Sequence, residues 1–328
     1  MNFKNKLLQF VSLLLVIMPI NVFAYSDRVI LGGNNVGIEV HSKGIMIVGF
    51  YQVNNAYVGR EAGLELGDKI IGVEEKEVGS IKDMINGIND NIKNETVKLT
   101  IKRNDKELTT QLKLIKDNNN VYKTGLYVKD QISGIGTLTY IDPETKIFGA
   151  LGHEIVESSS NTKVEIKNGK IFKSDVTGAT KNTKNLTGEK NAVFYNNEVY
   201  GSVESNTNSG IFGKYTGSYD EENLIEVGQI DDIELGKASI RTVLKGDKIE
   251  TYDINILKIN KNGDTKNILF EITDKDLMNK TNGVIKGMSG SPIVQDNKII
   301  GAVTHAIVND NGKGYGIFIT TMLEKGEN

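Results

Sequence analysis

The chain has 328 residues, with 39 Lys and Arg against 42 Asp and Glu, a net charge of −3, no Cys, and three His: His41, His153 and His305. Without Cys there is no disulfide framework, thiolate zinc site, iron–sulfur cluster or cysteine nucleophile, and three scattered histidines do not make a His-rich metal site. The near-balanced charge offers no broad basic surface for nucleic acid, and the length suggests about two domains.

Residues 1–24 have the layout of an export signal. Lys4 and Lys6 precede an apolar stretch from Leu7 to Ile20, and Val22 and Ala24 place small residues at the −3 and −1 positions before Tyr25. Extended through Ala24, the stretch would just suffice as an uncleaved membrane anchor. Either way, the remaining chain is expected to work outside the cytoplasm, secreted or anchored.

A first module is expected over residues 26–116. Val36–Val40 alternates as a half-buried strand does, and Gly44–Phe50 is a more continuous apolar strand. Ser80 is placed to cap a helix, with Asp83 completing a capping-box-like pair, and Ile81, Ile85, Ile88 and Ile92 recur at helical spacing. Val97, Leu99 and Ile101 mark a half-exposed strand, and an Asn104-Asp105 turn leads into the last one. This order, and above all the run Ala62-Gly63-Leu64-Glu65-Leu66-Gly67-Asp68-Lys69-Ile70-Ile71-Gly72-Val73, resembles a PDZ domain of the bacterial protease-associated type. Such domains take up an extended peptide as an added strand. The resemblance implies a groove along Gly33, Val36, Gly37 and Ile38, with loop amides receiving a terminal carboxylate. His41, beside a Ser-Lys-Gly turn, reads as an exposed strand-end residue.

Asn118-Asn119-Asn120 is a polar connector, and the second module, 121–328, holds many short β-like runs and one brief helical stretch, Lys275–Lys280. That pattern suggests a barrel or sandwich. The segment Ser174–Lys190 lacks periodicity and reads as a surface loop.

The sharpest local signal is Gly287-Met288-Ser289-Gly290-Ser291-Pro292-Ile293. A serine between glycines suits a chymotrypsin-type nucleophile turn, in which the amides of Gly287 and Ser289 converge as an oxyanion hole. A serine needs an adjacent base. His153, in Gly149-Ala150-Leu151-Gly152-His153, follows a strand and fits that position. His305, on the strand after the nucleophile hairpin, reads as a substrate-pocket wall or a structural residue. Asp274, where an apolar strand gives way to a polar turn, could aim the imidazole or equally cap the following helix. Asp142, Asp220 and Asp276 are fallback acids.

Taken together, Gly149–His153, Gly210-Ile211-Phe212-Gly213, Ile272-Thr273-Asp274, the Ser289 motif and Gly301–His305 resemble the stage IV sporulation protein B serine peptidases of endospore-forming bacteria. The resemblance implies a mostly β chain, a small α/β PDZ domain followed by a chymotrypsin-like double β-barrel, with His153, Asp274 and Ser289 as catalytic triad and no cofactor. It also implies limited proteolysis of a membrane-held regulator of an intramembrane protease, leading to activation of a late sigma factor, with self-processing. That activity would lie in the space between mother cell and forespore. The competing expectations are a non-catalytic PDZ scaffold binding peptide C-termini and an HtrA-like quality-control protease. The latter places its PDZ domain after the protease domain.

Overall fold

The computed structural model describes residues 25–92, 95–307, 310 and 312–327. The expected export signal at 1–24 lies outside them, and among the described residues no helix is long and apolar enough to cross a membrane. Strand β1 (Arg28–Leu31) is followed by β2 (Asn35–Phe50), whose two halves serve different cores. Val36, Ile38 and Val40 are buried in one cluster, and Ile45 and Ile47 in another. Between them the strand breaks register, and the Ser42 hydroxyl donates to the Gly44 carbonyl at 2.6 Å.

The second half of β2 builds a PDZ-like unit with β3 (Lys69–Val73), helix α1 (Ile81–Asn91), β4 (Thr96–Arg103) and β5 (Lys106–Lys113). Ile45 pairs with Ile70, Ile70 with Ile101, and Ile101 with Leu108. The hairpin between β4 and β5 turns on Asn104 and Asp105, both at positive φ, as a tight two-residue hairpin requires. Ser80 caps α1, accepting from the Asp83 amide at 3.1 Å. The helix buries Met84 and Ile88, whereas Ile85, expected on the apolar stripe, is 48% exposed. The inward stripe runs Ile81–Met84–Ile88, and Ile85 lies one residue, about 100°, around from Met84.

The first barrel is formed by the first half of β2 with β6 (Leu126–Ile141), β7 (Ile147–Ala150), β8 (Ile166–Ala179), β9 (Lys190–Ser202) and β10 (Gly210–Lys214). Its ladders run β9–β8–β2–β6–β7–β10 and close through a single bridge between Gly201 and Tyr215. Strand β11 (Leu224–Val227) pairs with β1 and lies parallel to the start of a strand of the second barrel, tying the two together. That second barrel comprises β12 (Gly236–Val243), β13 (Ile249–Ile259), β14 (Ile268–Ile272), β15 (Pro292–Gln295), β16 (Lys298–Ala306) and β17 (Lys313–Phe318). It is closed by continuous ladders: β12–β13–β14–β17–β16–β15 and back to β12. Helix α2 (Lys275–Thr281) connects β14 to the Ser289 segment, and α3 (Ile319–Glu327) packs Met322 and Leu323 against the β1 side. The PDZ-like unit is thus inserted between two neighbouring strands of the first barrel.

Two sequence expectations change. Val36–Val40 is not an open groove edge: it pairs with β6 on one side and β8 on the other, leaving no ladder for an incoming peptide. The Gly32 and Gly33 amides, expected to face a carboxylate, donate to the carbonyls of Thr139 and Leu138 at 3.0 and 2.8 Å. Nor is Ser174–Lys190 a free surface loop. Ser174 and Lys190 belong to β8 and β9, and buried Asn182 donates to the carbonyls of Asn282 and Val284, just ahead of the Ser289 turn.

A strand hydrogen-bonded on both edges opens only when its barrel does. The amides of Val36–Val40 are therefore expected to be among the slowest to exchange with deuterium, and saturating C-terminal peptides should not change their rates.

Candidate active site

Ser289 sits on a turn between α2 and β15 that is held from three sides. Met288, fully buried, anchors it in the second barrel's core. From β6, the Thr137 amide donates to the Ser289 carbonyl at 3.0 Å, and the Thr137 and Thr139 hydroxyls donate to the carbonyls of Gly287 and Gly290 at 2.9 and 2.8 Å. From β16, the Val303 carbonyl accepts the Gly290 amide at 2.7 Å. Gly287 and Gly290 have φ of +91° and +88°. At Gly290 a Cβ would lie 2.1 Å from the Thr137 carbonyl oxygen and 2.5 Å from the Leu151 nitrogen, so only glycine fits this approach.

The same arrangement orients two amides. The Lys286 carbonyl accepts the Lys190 amide at 3.0 Å, and the Met288 carbonyl accepts the Ser291 amide at 2.9 Å. In a trans peptide the N–H points opposite to the C=O. The N–H groups of Gly287 and Ser289 are therefore turned the other way, and neither has a hydrogen-bond partner among the described residues. They form a pair of unpaired donors at the Ser289 turn, both residues bordering a cleft.

His153 reaches that cleft from the first barrel. Strand β7 ends at Ala150, and Leu151 and Gly152 then both adopt left-handed φ, +71° and +70°. For Leu151 this conformation costs on the order of 1–2 kcal/mol. Its amide reaches the Thr137 carbonyl at 3.4 Å, and its side chain is buried. The His153 Nδ1 lies 2.9 Å from the Glu154 carbonyl oxygen. A carbonyl only accepts, so Nδ1 carries the proton and Nε2 keeps its lone pair, the form a general base needs. Burial lowers the pKa of His153 from its ordinary 6.5, with the Glu154 carbonyl pulling the other way.

His305, on β16, lies beside His153, ring centroids 5.3 Å apart at 43°. Its Nδ1 is buried without a partner, and its pKa is pushed down to about 4 by burial, then by His153 and Lys266. Both imidazoles are therefore neutral near pH 7. The cleft, about 470 Å³, is bordered by Ser289, Gly287, Lys286 and His305 from the second barrel side and by His153, Ile38, Ile132, Ile135 and Leu151 from the first. The Ser289 hydroxyl donates to the Thr304 carbonyl at 3.0 Å, so its proton has to be redirected before any transfer to His153.

Asp274 is not brought to this cleft. It caps α2, its carboxylate accepting the Leu277 amide at 2.8 Å, and no hydrogen bond or ion pair joins it to either histidine among the described residues. Of the fallback acids, Asp142 is fully buried and spent on Ser26 and the Glu144–Thr145 turn, Asp220 caps a short 3-10 turn, and Asp276 pairs with Lys280. His41 lies near Glu39, with 41% of its side chain exposed. Of the expected groove residues, Ile38 borders the Ser289 cleft, whereas a Cβ at Gly37 would meet the Phe172 ring and one at Gly33 would meet Ile249 and Arg241. Sequence reading missed Thr137, Thr139 and Lys190. The one available signal was two threonines alternating with apolar residues in Gly136-Thr137-Leu138-Thr139-Tyr140.

Residues 120–323 match the family described as SpoIVB peptidase S55, and residues 35–114 match the PDZ domain. No curated protein matches the chain. Among solved structures, the chain is similar to the PDZ domain of an SdrC-like protein from Listeria monocytogenes, at 24% identity over 28% of this chain and 93% of that one, with a TM-score of 0.23. It is also similar to an inactive form of the protease Rv3671c, at 13% identity over 58% of this chain and 84% of that one, with a TM-score of 0.31. A serine-substituted inactive form of Rv3671c from M. tuberculosis H37Rv shares 14% identity over 58% and 81% of the two chains, with a TM-score of 0.30. With the S55 match covering more than half its length, the chain belongs to the SpoIVB peptidase S55 family of serine peptidases.

Proposed function

We propose that Ser289 is the nucleophile and His153 the general base of this peptidase, with the Gly287 and Ser289 amides as oxyanion hole. The observation that carries the reading is the convergence on one cleft of a turn-borne serine, a histidine with a free Nε2, and two unpaired N–H donors. Ser289 Oγ would attack the scissile carbonyl carbon while Nε2 takes its proton. The tetrahedral oxyanion would be held by the two amides. The imidazolium then protonates the leaving amine as the C–N bond breaks, leaving an acyl-enzyme. Water, deprotonated by His153, releases the acid and restores Ser289. The Glu154 carbonyl, accepting from Nδ1, would orient the ring and support its positive charge.

The substrate proposed is an extended segment of a membrane-held regulator, cut once rather than degraded, with self-processing and a role in sporulation signalling. The apolar cleft wall of Ile38, Ile132, Ile135 and Leu151 suits an extended segment with apolar side chains. The PDZ-like unit, inserted beside that wall, is inferred to engage the protein substrate or a partner at a place other than Val36–Val40. Export across the cytoplasmic membrane is inferred from residues 1–24.

Three tests follow from this assignment. Ser289→Ala should abolish covalent labelling by a fluorophosphonate probe and any self-cleavage seen by mass spectrometry, while leaving the unfolding temperature unchanged; a labelled variant would end the reading. Asp274→Asn keeps a good helix cap and should alter the labelling rate less than about threefold, whereas loss of a triad acid costs about 10⁴ in trypsin-like enzymes. Because base catalysis needs neutral His153 and burial lowers its pKa, the acid limb of the labelling rate should have its midpoint below pH 6.5.

A further inference from the structure

Directly behind the nucleophile turn lies a lysine that the proposed chemistry does not use. Lys190, the first residue of β9, is 4% exposed. Its Nζ lies 2.9 Å from Thr242 Oγ1, with longer contacts of 3.5 Å to Asn35 Oδ1 and Thr137 Oγ1. These are three neutral oxygens from three different strands around a group with three protons to donate. The Asn35 amide donates to Ser174, and the Thr137 hydroxyl donates to the Gly287 carbonyl, so both present an acceptor lone pair towards Lys190. No carboxylate pairs with the ammonium among the described residues.

The position is as telling as the cage. A Cβ at Gly287 would lie 3.0–3.2 Å from the Lys190 side-chain carbons. The Lys190 backbone amide holds the Lys286 carbonyl at 3.0 Å. Lys190 therefore acts on both peptides flanking Gly287: directly on the preceding one, and through Thr137 on the following one. It is not a second base, since its amine faces the threonine cage, whereas the Ser289 hydroxyl faces β16.

We propose that Lys190 is a positioning residue whose buried ammonium, acting through Thr137, fixes the Gly287 carbonyl and so the backbone angle at Gly287 on which presentation of the adjoining oxyanion-hole amide depends. This rests on the assignment of Ser289 and Gly287 above. An ammonium buried without a carboxylate partner is expensive. Burial alone lowers its pKa from 10.5 to about 7, so it loses its proton near neutrality. The ionisable residues next to its cage partners, Asp175 beside Ser174 and Arg241 beside Thr242, sit on alternate strand positions and so face away. Glu189 and Lys286, its neighbours on β9's approach and the nucleophile turn, likewise contribute nothing to that shift. Deprotonation leaves two N–H donors for three acceptors, which weakens the cage that includes Thr137 and with it the hold on the Gly287 carbonyl.

The experiment measures second-order labelling of Ser289 by a fluorophosphonate probe from pH 5 to 10, together with unfolding temperatures, on the full chain and on Lys190→Met. Wild type should show a rate that falls as pH rises through about 7. Lys190→Met should label about 10- to 100-fold more slowly at pH 6, at or below the roughly 100- to 1,000-fold cost of losing one oxyanion donor outright. It should show no alkaline limb, and its unfolding temperature should be equal or higher, because a costly buried charge is gone. A purely structural lysine would instead lower the unfolding temperature and leave the pH profile of the folded fraction unchanged, which overturns the proposal. Should Lys190→Met fail to fold, Thr242→Val removes the closest acceptor of the ammonium without touching the turn. Its alkaline limb should move to lower pH, and an unmoved limb overturns the proposal. Folded wild type that does not label at all overturns the Ser289 assignment and this inference with it. Wild type that labels, with Lys190→Met labelling at the same rate, overturns this inference alone.

Discussion

The close approach of Gly290 to Thr137 is the contact on which the site depends. The nucleophile turn belongs to the second barrel and the His153 turn to the first, and each is a short loop without helix or ladder of its own. They meet because Thr137 offers its amide and hydroxyl to one and its carbonyl to the other. A glycine at 290 lets the two backbones come within a distance no side chain would permit. The left-handed Leu151 is the cost of the arrangement on the histidine side, offset by burying its side chain beside Gly136 and Ile38.

Pinning the carbonyls has a consequence for the amides. Each carbonyl of the turn from Lys286 to Gly290 is taken by a donor in β6, in β9 or in the turn itself, so the N–H groups left over are those of Gly287 and Ser289. These hydrogen bonds lie on the far side of the peptides from the two N–H groups. The same logic places polar groups, Thr137, Thr139, Thr242, Asn35 and Lys190, in a core otherwise built from Ile, Val and Phe. They cost stability to bury and are satisfied mainly by one another.

The PDZ-like unit enters this scheme through β2 and β6, which leave the first barrel, build part of the second core, and return. Ile38 and Ile132 border the cleft, while Ile45, Ile47 and Leu126 of the same two strands pack in the PDZ-like core. Its N-terminal neighbour is similarly tied: Ser26 donates twice to Asp142, which is fully buried at the end of β6.

Much of the protein was legible along the chain. The strands announce themselves by alternation, the Ala62–Val73 run by its glycines and aspartate, the Ser80 cap by its hydroxyl, and the nucleophile turn by glycines whose positive φ the structure bears out at Gly287 and Gly290. These are local properties, set by sterics and hydrogen bonding within a few residues. The chain by itself thus determined a β-rich peptidase with a PDZ-like unit and a serine turn. Only the tertiary structure decided that Val36–Val40 has both edges taken, that Asp274 spends its carboxylate on a helix end, and that Thr137 and Lys190 stand behind Ser289. Each of those outcomes depends on which strand lies beside which across more than a hundred residues, as with Val36–Val40 and Ile166–Lys173, or on which of two acceptable hydrogen bonds a side chain makes. Spacing in the sequence does not encode that choice, because it is made by the packing of the two barrels against each other.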